Sequence, residues 1–396
     1  MADGVLLGFT VLAALSSLLG LASLAGGVRF RARVRKSVAA SRPPYAPPVA
    51  VIVACRGVDP GLEANLRALL DQDYPSYRAI FALDASDDPA HDVIRAVAGP
   101  GKLRATVAIA RPVRNATGKA AALISAAREL TQDDEVLAFM DSDARPPRHW
   151  LRALVAPLVD SSVGATTAYR WYTHDETLAS ATRAAWNAAG TNLLFDEEKN
   201  FAWGGSYAIR RDTFDRALIV AKWGTALSDD MVVTQAVKGL GLRVAYVPAA
   251  TVLTEEPCDW RSMLEWVTRQ TVMMRAHDPR VTRYAGAAYA TVAGSVDLGI
   301  ALMAVAALAD PGYWIPAVLL LAHVPLIAAK ALLRLSLFRG VAGRRLGPSG
   351  AFVLGSLVVP WLTLHALNAA RRIRYISWRG TVYEIAGPPP MRVVRR

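Results

Sequence analysis

Two carboxylates stand one residue apart directly behind an apolar run, in Leu137-Ala138-Phe139-Met140-Asp141-Ser142-Asp143, and Ala144-Arg145-Pro146-Pro147 follows. Residues i and i+2 of an extended or turning segment point to the same side, so both carboxylates can reach one point beyond a buried strand. Such a pair suits a hard divalent cation, Mg²⁺ or Mn²⁺, whose shell is completed by substrate phosphates. An acidic turn capping a strand is the ordinary alternative. The same punctuation recurs where a first strand ends at Ala54-Cys55-Arg56-Gly57 and a second at Leu83-Asp84-Ala85-Ser86-Asp87-Asp88-Pro89. Ligands of open α/β sheets gather at the carboxyl ends of strands. Asp84, Asp87 and Asp88, with Arg56 at the same edge, are therefore candidates for contact with a nucleotide.

Lys119 opens a helix after Ala116-Thr117-Gly118. A cation and free N–H groups there suit an anion, although an exposed helix-start lysine has the same sequence. Phe201-Ala202-Trp203-Gly204-Gly205-Ser206 sets a large ring beside two glycines. Glycine lets backbone approach a ligand closely, and Trp203 offers a face to a sugar or an apolar tail; a simple turn is the alternative. Leu227-Ser228-Asp229-Asp230-Met231 reads as a capped helix start, which accounts for one aspartate and not for both. In Trp266-Val267-Thr268-Arg269-Gln270, spacing leaves Arg269 free to bind a pyrophosphate or to snorkel to lipid headgroups.

These residues need a scaffold. From 49 to about 248 short apolar runs alternate with helical patterns, as in an α/β domain. Strands are expected at 49–54, 79–83, 105–110, 136–140, 164–168, 206–209 and 243–247, and helices at 61–70, 91–98, 118–130, 149–158, 177–194 and 229–238. The catalytic unit is bounded at 49–257. Residues 4–27 carry no charge and can span a bilayer, giving an N-terminal anchor at 1–28 and a basic, proline-rich linker at 29–48. An amphipathic interfacial region follows at 258–284, then two transmembrane helices at 285–333 and a basic loop and tail at 334–396. Within that tail, 351–370 contains Pro360 and His365 between arginine pairs, and is expected to re-enter or lie at the interface rather than cross.

The chain of 396 residues is 53% hydrophobic with net charge +12, which directs it to anionic partners. Its arginines bunch beside the apolar stretches, as in the run from Arg29 to Lys36, which favours a membrane surface over nucleic acid. Cys55 and Cys258 lack any ligand spacing, so neither a disulfide framework nor a zinc site is expected. The positive-inside bias puts the catalytic unit in the cytoplasm, with the N-terminus outside, in an integral protein of a bacterial inner membrane. Asp297, alone inside a long apolar stretch, is expected to line the path of an acceptor headgroup, or to lie at headgroup level.

The succession Asp-Asp-Pro-Ala at 87–90, Lys119, Asp-Ser-Asp at 141–143, Gly-Gly at 204–205 and Asp-Asp at 229–230 resembles the lipid-directed and processive family 2 glycosyltransferases, closest to their ceramide glucosyltransferase relatives of family 21. Ile376-Ser377-Trp378-Arg379-Gly380-Thr381-Val382-Tyr383 looks like the Ser-Trp-Arg…Tyr signature found there after the last membrane segment. The resemblance implies a GT-A fold, an α/β nucleotide-sugar-binding domain, with transmembrane helices. It implies a UDP-hexose donor, nucleotide contact at Asp84 to Asp88, a divalent metal at Asp143 and Asp141, and a base at Asp230 with Asp229 beside it. Trp203, Gly204, Gly205, Trp266, Gln270, Trp378 and Arg379 fall on the acceptor side. The family's motif of Gln or Arg, two residues, then Arg-Trp keeps only its arginine here, as Arg269, which weakens the case for ceramide glucosylation itself and leaves a ceramide- or sphingolipid-like or another glycolipid acceptor. The implied reaction is inverting transfer of a sugar to a lipid hydroxyl. A processive polysaccharide synthase is the enzyme alternative, and a transporter or receptor the non-enzyme one.

Overall fold

The computed structural model describes residues 2–40, 44–99, 105–113, 116–378, 381–385 and 392–395. Strands β1 (Val49–Cys55), β2 (Tyr77–Leu83), β3 (Ala105–Ile109), β4 (Val136–Asp141), β5 (Val163–Thr167), β6 (Arg170–Tyr172), β7 (Ser206–Arg210), β8 (Arg243–Tyr246) and β9 (Val252–Thr254) precede the long apolar helices. All seven expected strands join one sheet in the order β3-β2-β1-β4-β7-β5-β8. β7 runs antiparallel to both neighbours and the other pairings are parallel. The chain leaves β1 toward β2 and β3 on one side and returns to β4 on the other, so the topological switch lies between β1 and β4. Because β7 is reversed, its beginning shares the edge where β1, β2, β4 and β5 end. The short β6 and β9 pair beside that edge, where no strand was expected.

Alternation of side chains builds two cores. Val49, Val51 and Val53 face α2 (Leu62–Leu70), α3 (Ala90–Ala98) and α5 (Trp150–Val155). Ala50 and Ile52 face α4 (Gly118–Ala126), α8 (Ile219–Trp223) and α9 (Asp229–Gly239). α6 (Leu178–Ala189) and α7 (Arg211–Arg216) complete the unit. A third core joins this unit to the apolar helices: Tyr169 and Trp171 pack with Phe30, Leu335, Phe338 and Phe352.

Helix α1 (Ala2–Ala39) continues through the basic residues 29–39 that were expected to be linker, because that stretch contains neither Pro nor Gly and arginine favours helix. α10 (Trp260–His277) opens with a capping box at Asp259, and α11 (Pro279–Leu308) starts six residues ahead of the expected span. α12 (Trp314–Leu321) and α13 (His323–Ala342) form one kinked rod, since Pro325 has no N–H for the Leu321 carbonyl. Among the described residues four helices are long and apolar enough to cross a membrane, the last being α14 (Ser349–Arg372). Ser16 of α1 bonds Ser295 of α11 at 2.7 Å and His323 of α13 at 2.8 Å, a polar tie inside the bundle.

α14 contains no turn and runs unbroken through Pro360, so 351–370, expected to re-enter or lie at the interface, is one continuous helix. The loop before it meets the catalytic unit, where His174 N donates to Leu346 O at 3.2 Å, and its C-terminal end meets α10, where Arg275 Nη2 donates to Ile373 O at 3.2 Å. The fit to α6 is tight at Gly355, where an added Cβ would stand 2.7 Å from the Ala181 backbone. Gly355→Ala should therefore destabilise the purified chain by about 1–3 kcal/mol. Gly350→Ala, with nothing within 4 Å, should leave the melting temperature unchanged or raised. Equal melting of the two variants would remove this account of how α14 is held.

Candidate active site

The switch between β1 and β4 places the chemistry. β4 ends at Asp141, and Asp143 follows in the turn. Across the ladder Met140 pairs with Ser206, which brings Gly205 opposite Asp141. α4 starts behind its Thr117 cap, whose side chain accepts from Ala120 N at 3.1 Å, and delivers Lys119 to the same edge. Lys119 Nζ lies 2.7 Å from Asp141 Oδ1 and 3.2 Å from Asp229 Oδ1. β5 ends beside β7 and leads into β6, whose first residue is Arg170. That guanidinium spans both strand-end carboxylates, with Nη1 at 2.9 Å from Asp141 Oδ2 and Nη2 at 2.5 Å from Asp143 Oδ2. Its Nε donates to Thr254 Oγ1 at 2.8 Å on β9.

Asp230 is fixed from three directions. Gly204 N donates to Oδ2 at 2.8 Å, Met231 N donates to Oδ1 at 2.6 Å, and Ser228 Oγ donates to Oδ1. The glycine pair is required by crowding: a Cβ on Gly204 would meet Asp230 Oδ2 at 2.9 Å, and one on Gly205 would meet Arg170 Cδ at 2.9 Å. Asp229 is buried, while Asp230 stays partly open to a cavity of about 1820 Å³ that it helps to line.

Two cations, Lys119 and Arg170, thus face four carboxylates, Asp141, Asp143, Asp229 and Asp230. Burial opposes the charge on Lys119, but Asp141 and Asp229 overcome it and hold its pKa above the ordinary lysine value. Burial pushes Asp143 up against the pull of Arg170, and pushes Asp229 up to about 6 against the pull of Lys119. The residues fit a divalent cation. Asp143 Oδ1 is buried without a hydrogen-bond partner, its donor is a hard oxygen, and the cluster carries surplus negative charge. No group of three or more His, Cys, Asp or Glu side chains converges on one point among the described residues, so phosphate or water oxygens would have to complete the shell.

The other expected site residues divide. Arg56 Nη1 pairs with Asp84 Oδ2 at 3.1 Å, and both line the cavity. Asp88 instead accepts from Gly57 N at 2.9 Å and from Ala90 N at 2.9 Å, so its carboxylate is spent on the β1 turn and the start of α3. Asp87 is exposed away from the cavity. Trp203, Trp266, Arg269 and Gln270 line it, with Trp266 edge-on to Tyr172 and Trp186. Trp378 belongs to β10 (Tyr375–Trp378), though its side chain and all of Arg379 lie outside the described residues. β10 joins β11 (Thr381–Glu384) and β12 (Arg392–Arg395) in a sheet that brings Tyr383 OH to accept from Gly118 N at 3.3 Å. Asp297 is exposed on α11 and does not line the cavity; Trp361 Nε1 of α14 donates to both of its oxygens at 3.3 Å. The expected headgroup path does not pass it, because it stands about 140° round the helix from Val292, where the α11 lining of the cavity ends.

Sequence reasoning missed Arg170 and Asp59. Ser142 Oγ donates to Asp59 Oδ2 at 2.7 Å, steadying the turn after β4 from the β1 side. For Arg170 the available signal was a lone cation inside Tyr169-Arg170-Trp171-Tyr172, an aromatic run that would otherwise be buried outright.

The model for glycosyl transferase family 21 matches residues 9–388. A comparison with curated proteins found no match. Among solved structures, the chain is similar to the mannosyltransferase of Pyrobaculum calidifontis in complex with GDP-Man and Mn²⁺. Identity is 21% over 91% of this chain and 97% of that one, with a TM-score of 0.50. It is also similar to glucosyl-3-phosphoglycerate synthase from Mycobacterium tuberculosis, in complex with phosphoglyceric acid, at 15% identity over 59% and 84% of the two chains and a TM-score of 0.38. The mannosyltransferase likeness bears on the fold, a GT-A catalytic domain. With the family model spanning nearly its whole length, the chain belongs to glycosyltransferase family 21 and is a glycosyltransferase.

Proposed function

We propose that the chain moves a sugar from a nucleotide sugar, UDP-hexose by family resemblance, to the hydroxyl of a membrane lipid, with inversion. One observation carries this reading: the cavity holding Asp141, Asp143 and Asp230 continues between the long apolar helices, where α1, α11, α13 and α14 all contribute walls. A lipid can keep its tails in the bilayer while its head reaches the sheet edge. The neighbour solved with GDP-Man and Mn²⁺ supports a nucleotide-sugar donor and a divalent metal. The basic residues from Arg29 to Lys36, in the last turns of α1, support a cytoplasmic catalytic unit with the N-terminus outside.

Asp143 and Asp141 would hold the cation, which when bound neutralises charge developing on the departing diphosphate. Lys119 and Arg269 add positive charge near that group. Asp230, held by Gly204 and Met231, takes the proton of the acceptor hydroxyl. The hydroxyl oxygen then bonds the anomeric carbon from the face opposite the leaving group, and the bond to the diphosphate breaks with its electron pair. Arg170 touches neither reactant in this scheme; it orients both metal carboxylates.

The test of the whole reading is to incubate membranes with a panel of radiolabelled nucleotide sugars, with and without chelator, and to extract lipid. Chelator-sensitive label in the lipid phase is expected, whereas label confined to insoluble polymer would favour a synthase. Asp230→Asn should lower turnover by roughly 10²–10⁴-fold while donor affinity stays within a few-fold; parallel losses in both would make Asp230 a donor ligand or a cap. Arg170→Lys keeps the charge but loses the planar fork, so the apparent Mn²⁺ affinity in donor-binding titrations should fall at least about ten-fold. An unchanged titration would detach Arg170 from the metal carboxylates. Asp229 ionises as pH rises through about 6 and then fixes Lys119. Wild-type turnover should accordingly climb through that pH, and Asp229→Asn should be slower but flat there, in pH profiles of kcat.

A further inference from the structure

The cavity has a second charged region, far along the chain from the carboxylates. On α13 the residues His323, Leu326, Ile327, Lys330 and Arg334 all line it, and their spacing of three, four, seven and eleven from His323 marks one helical face. Lys330 Nζ donates to Ser23 Oγ of α1 at 2.6 Å, and Arg334 Nη2 donates to Asn192 Oδ1, next to α6, at 2.9 Å. Both partners are neutral. Elsewhere in the cavity Arg56, Lys119, Arg170 and Lys199 each lie against a carboxylate. Among the described residues no carboxylate comes within ion-pair distance of Lys330 or Arg334. Cations drawn out of water without a counter-charge are costly.

Their depth matters as much as their charge. Trp314 begins the rod after the short turn at Pro311–Tyr313, and Lys330 and Arg334 lie 16 and 20 residues further along. At helical rise that is about 24–30 Å, close to one hydrocarbon thickness. The pair therefore sits at headgroup level on the side of the catalytic unit. Leu19, Val292, Leu326 and Ile327 offer apolar walls in the same cavity. Lys and Arg at this depth commonly snorkel to bulk lipid, but these two point into the cavity shared with Asp230 instead of away from it.

We propose that Lys330 and Arg334 form a binding site for the phosphate of an anionic lipid, held in the cavity with its remaining headgroup directed toward the sheet edge. This rests on the reading that the acceptor is a lipid, and it narrows that acceptor to a phosphate-bearing class. A neutral lipid alcohol would leave both cations unpaired.

Binding, measured without turnover, tests it. The full chain in neutral detergent is titrated with dioleoyl phosphatidic acid or dioleoylglycerol and bound lipid is counted by native mass spectrometry. Wild type should retain phosphatidic acid about ten-fold more tightly than dioleoylglycerol. Lys330→Gln and Arg334→Gln should each lose most of that preference, while Lys330→Arg and the exposed-site control Arg33→Gln should keep it. Equal retention of the two lipids by wild type, or the same loss in Arg33→Gln, would overturn the proposal. So would complete displacement of phosphatidic acid by inorganic phosphate at matched concentration, which would assign the site to a soluble phosphate. Because no sugar is transferred in this assay, a chain that binds phosphatidic acid yet labels no lipid would refute the proposed acceptor reaction and leave this site standing.

Discussion

The fork of Arg170 across Asp141 and Asp143 is the contact on which the site's geometry depends. Without it two carboxylates one residue apart would repel, and the turn after β4 would have no reason to keep both turned the same way. The fork is held in its turn by what flanks it. Tyr169 and Trp171 point the other way along the strand and pack against Phe338 of α13 at 5.0 Å and 5.1 Å, and Trp171 stacks on Phe352 of α14 at 5.5 Å. Tyr172, on the same side as Arg170, lies under its guanidinium at 4.7 Å. One three-residue strand thus connects the strand-end carboxylates to the helices suited to a membrane. Displacing α13 or α14 would move Asp141 and Asp143, the carboxylates proposed to hold the cation.

That coupling explains why the catalytic unit and the apolar helices share a core where a flexible linker would otherwise suffice. The glycosyltransferase must bring a polar donor to a sheet edge and, in the proposed reaction, meet an acceptor that stays in lipid. A cleft walled by both units solves this without extracting the acceptor. The close seat of Gly355 on Ala181 and the aromatic packing around Phe338 keep that cleft at fixed width. Tyr383 closes it from the C-terminal sheet through Gly118 N, the residue beside Lys119.

Much of this was legible beforehand, for identifiable reasons. Strands such as β2, β4 and β8 announced themselves as short apolar runs closed by Asp84, Asp141 and Pro248, and a sheet buried on both faces demands such runs. Asp141, Asp143, Lys119, Gly204 and Asp230 came from strand ends and helix starts, where sequence position and spatial position coincide. Arg170 was hidden because its partners come from β4 and β9, strands that only the folded sheet brings together. Asp88 was misread for a complementary reason: a carboxylate that closes a turn has the same neighbours in sequence as one that awaits a ligand. Asp297 failed on helical phase. Hydropathy reveals that a segment is apolar, not which side of it faces a neighbour, and the partner Trp361 lies on α14, 64 residues away.

The charges of the cavity are sorted along its length. Carboxylates outnumber cations at the sheet edge, whereas the stripe on α13 carries cations that meet only neutral groups. Each end then attracts what the other repels: a metal ion at the acidic end, an anionic group at the basic one. In the proposed reaction a diphosphate donor meets the negative charge that Lys119 and Arg170 leave unbalanced there, which a bound cation would offset. An anionic lipid is spared that conflict if its charge stops at Lys330 and Arg334 while its hydroxyl goes on. Sorting of this kind sets the polarity with which each substrate can lie in the cavity, before any contact with the sugar itself contributes to selectivity.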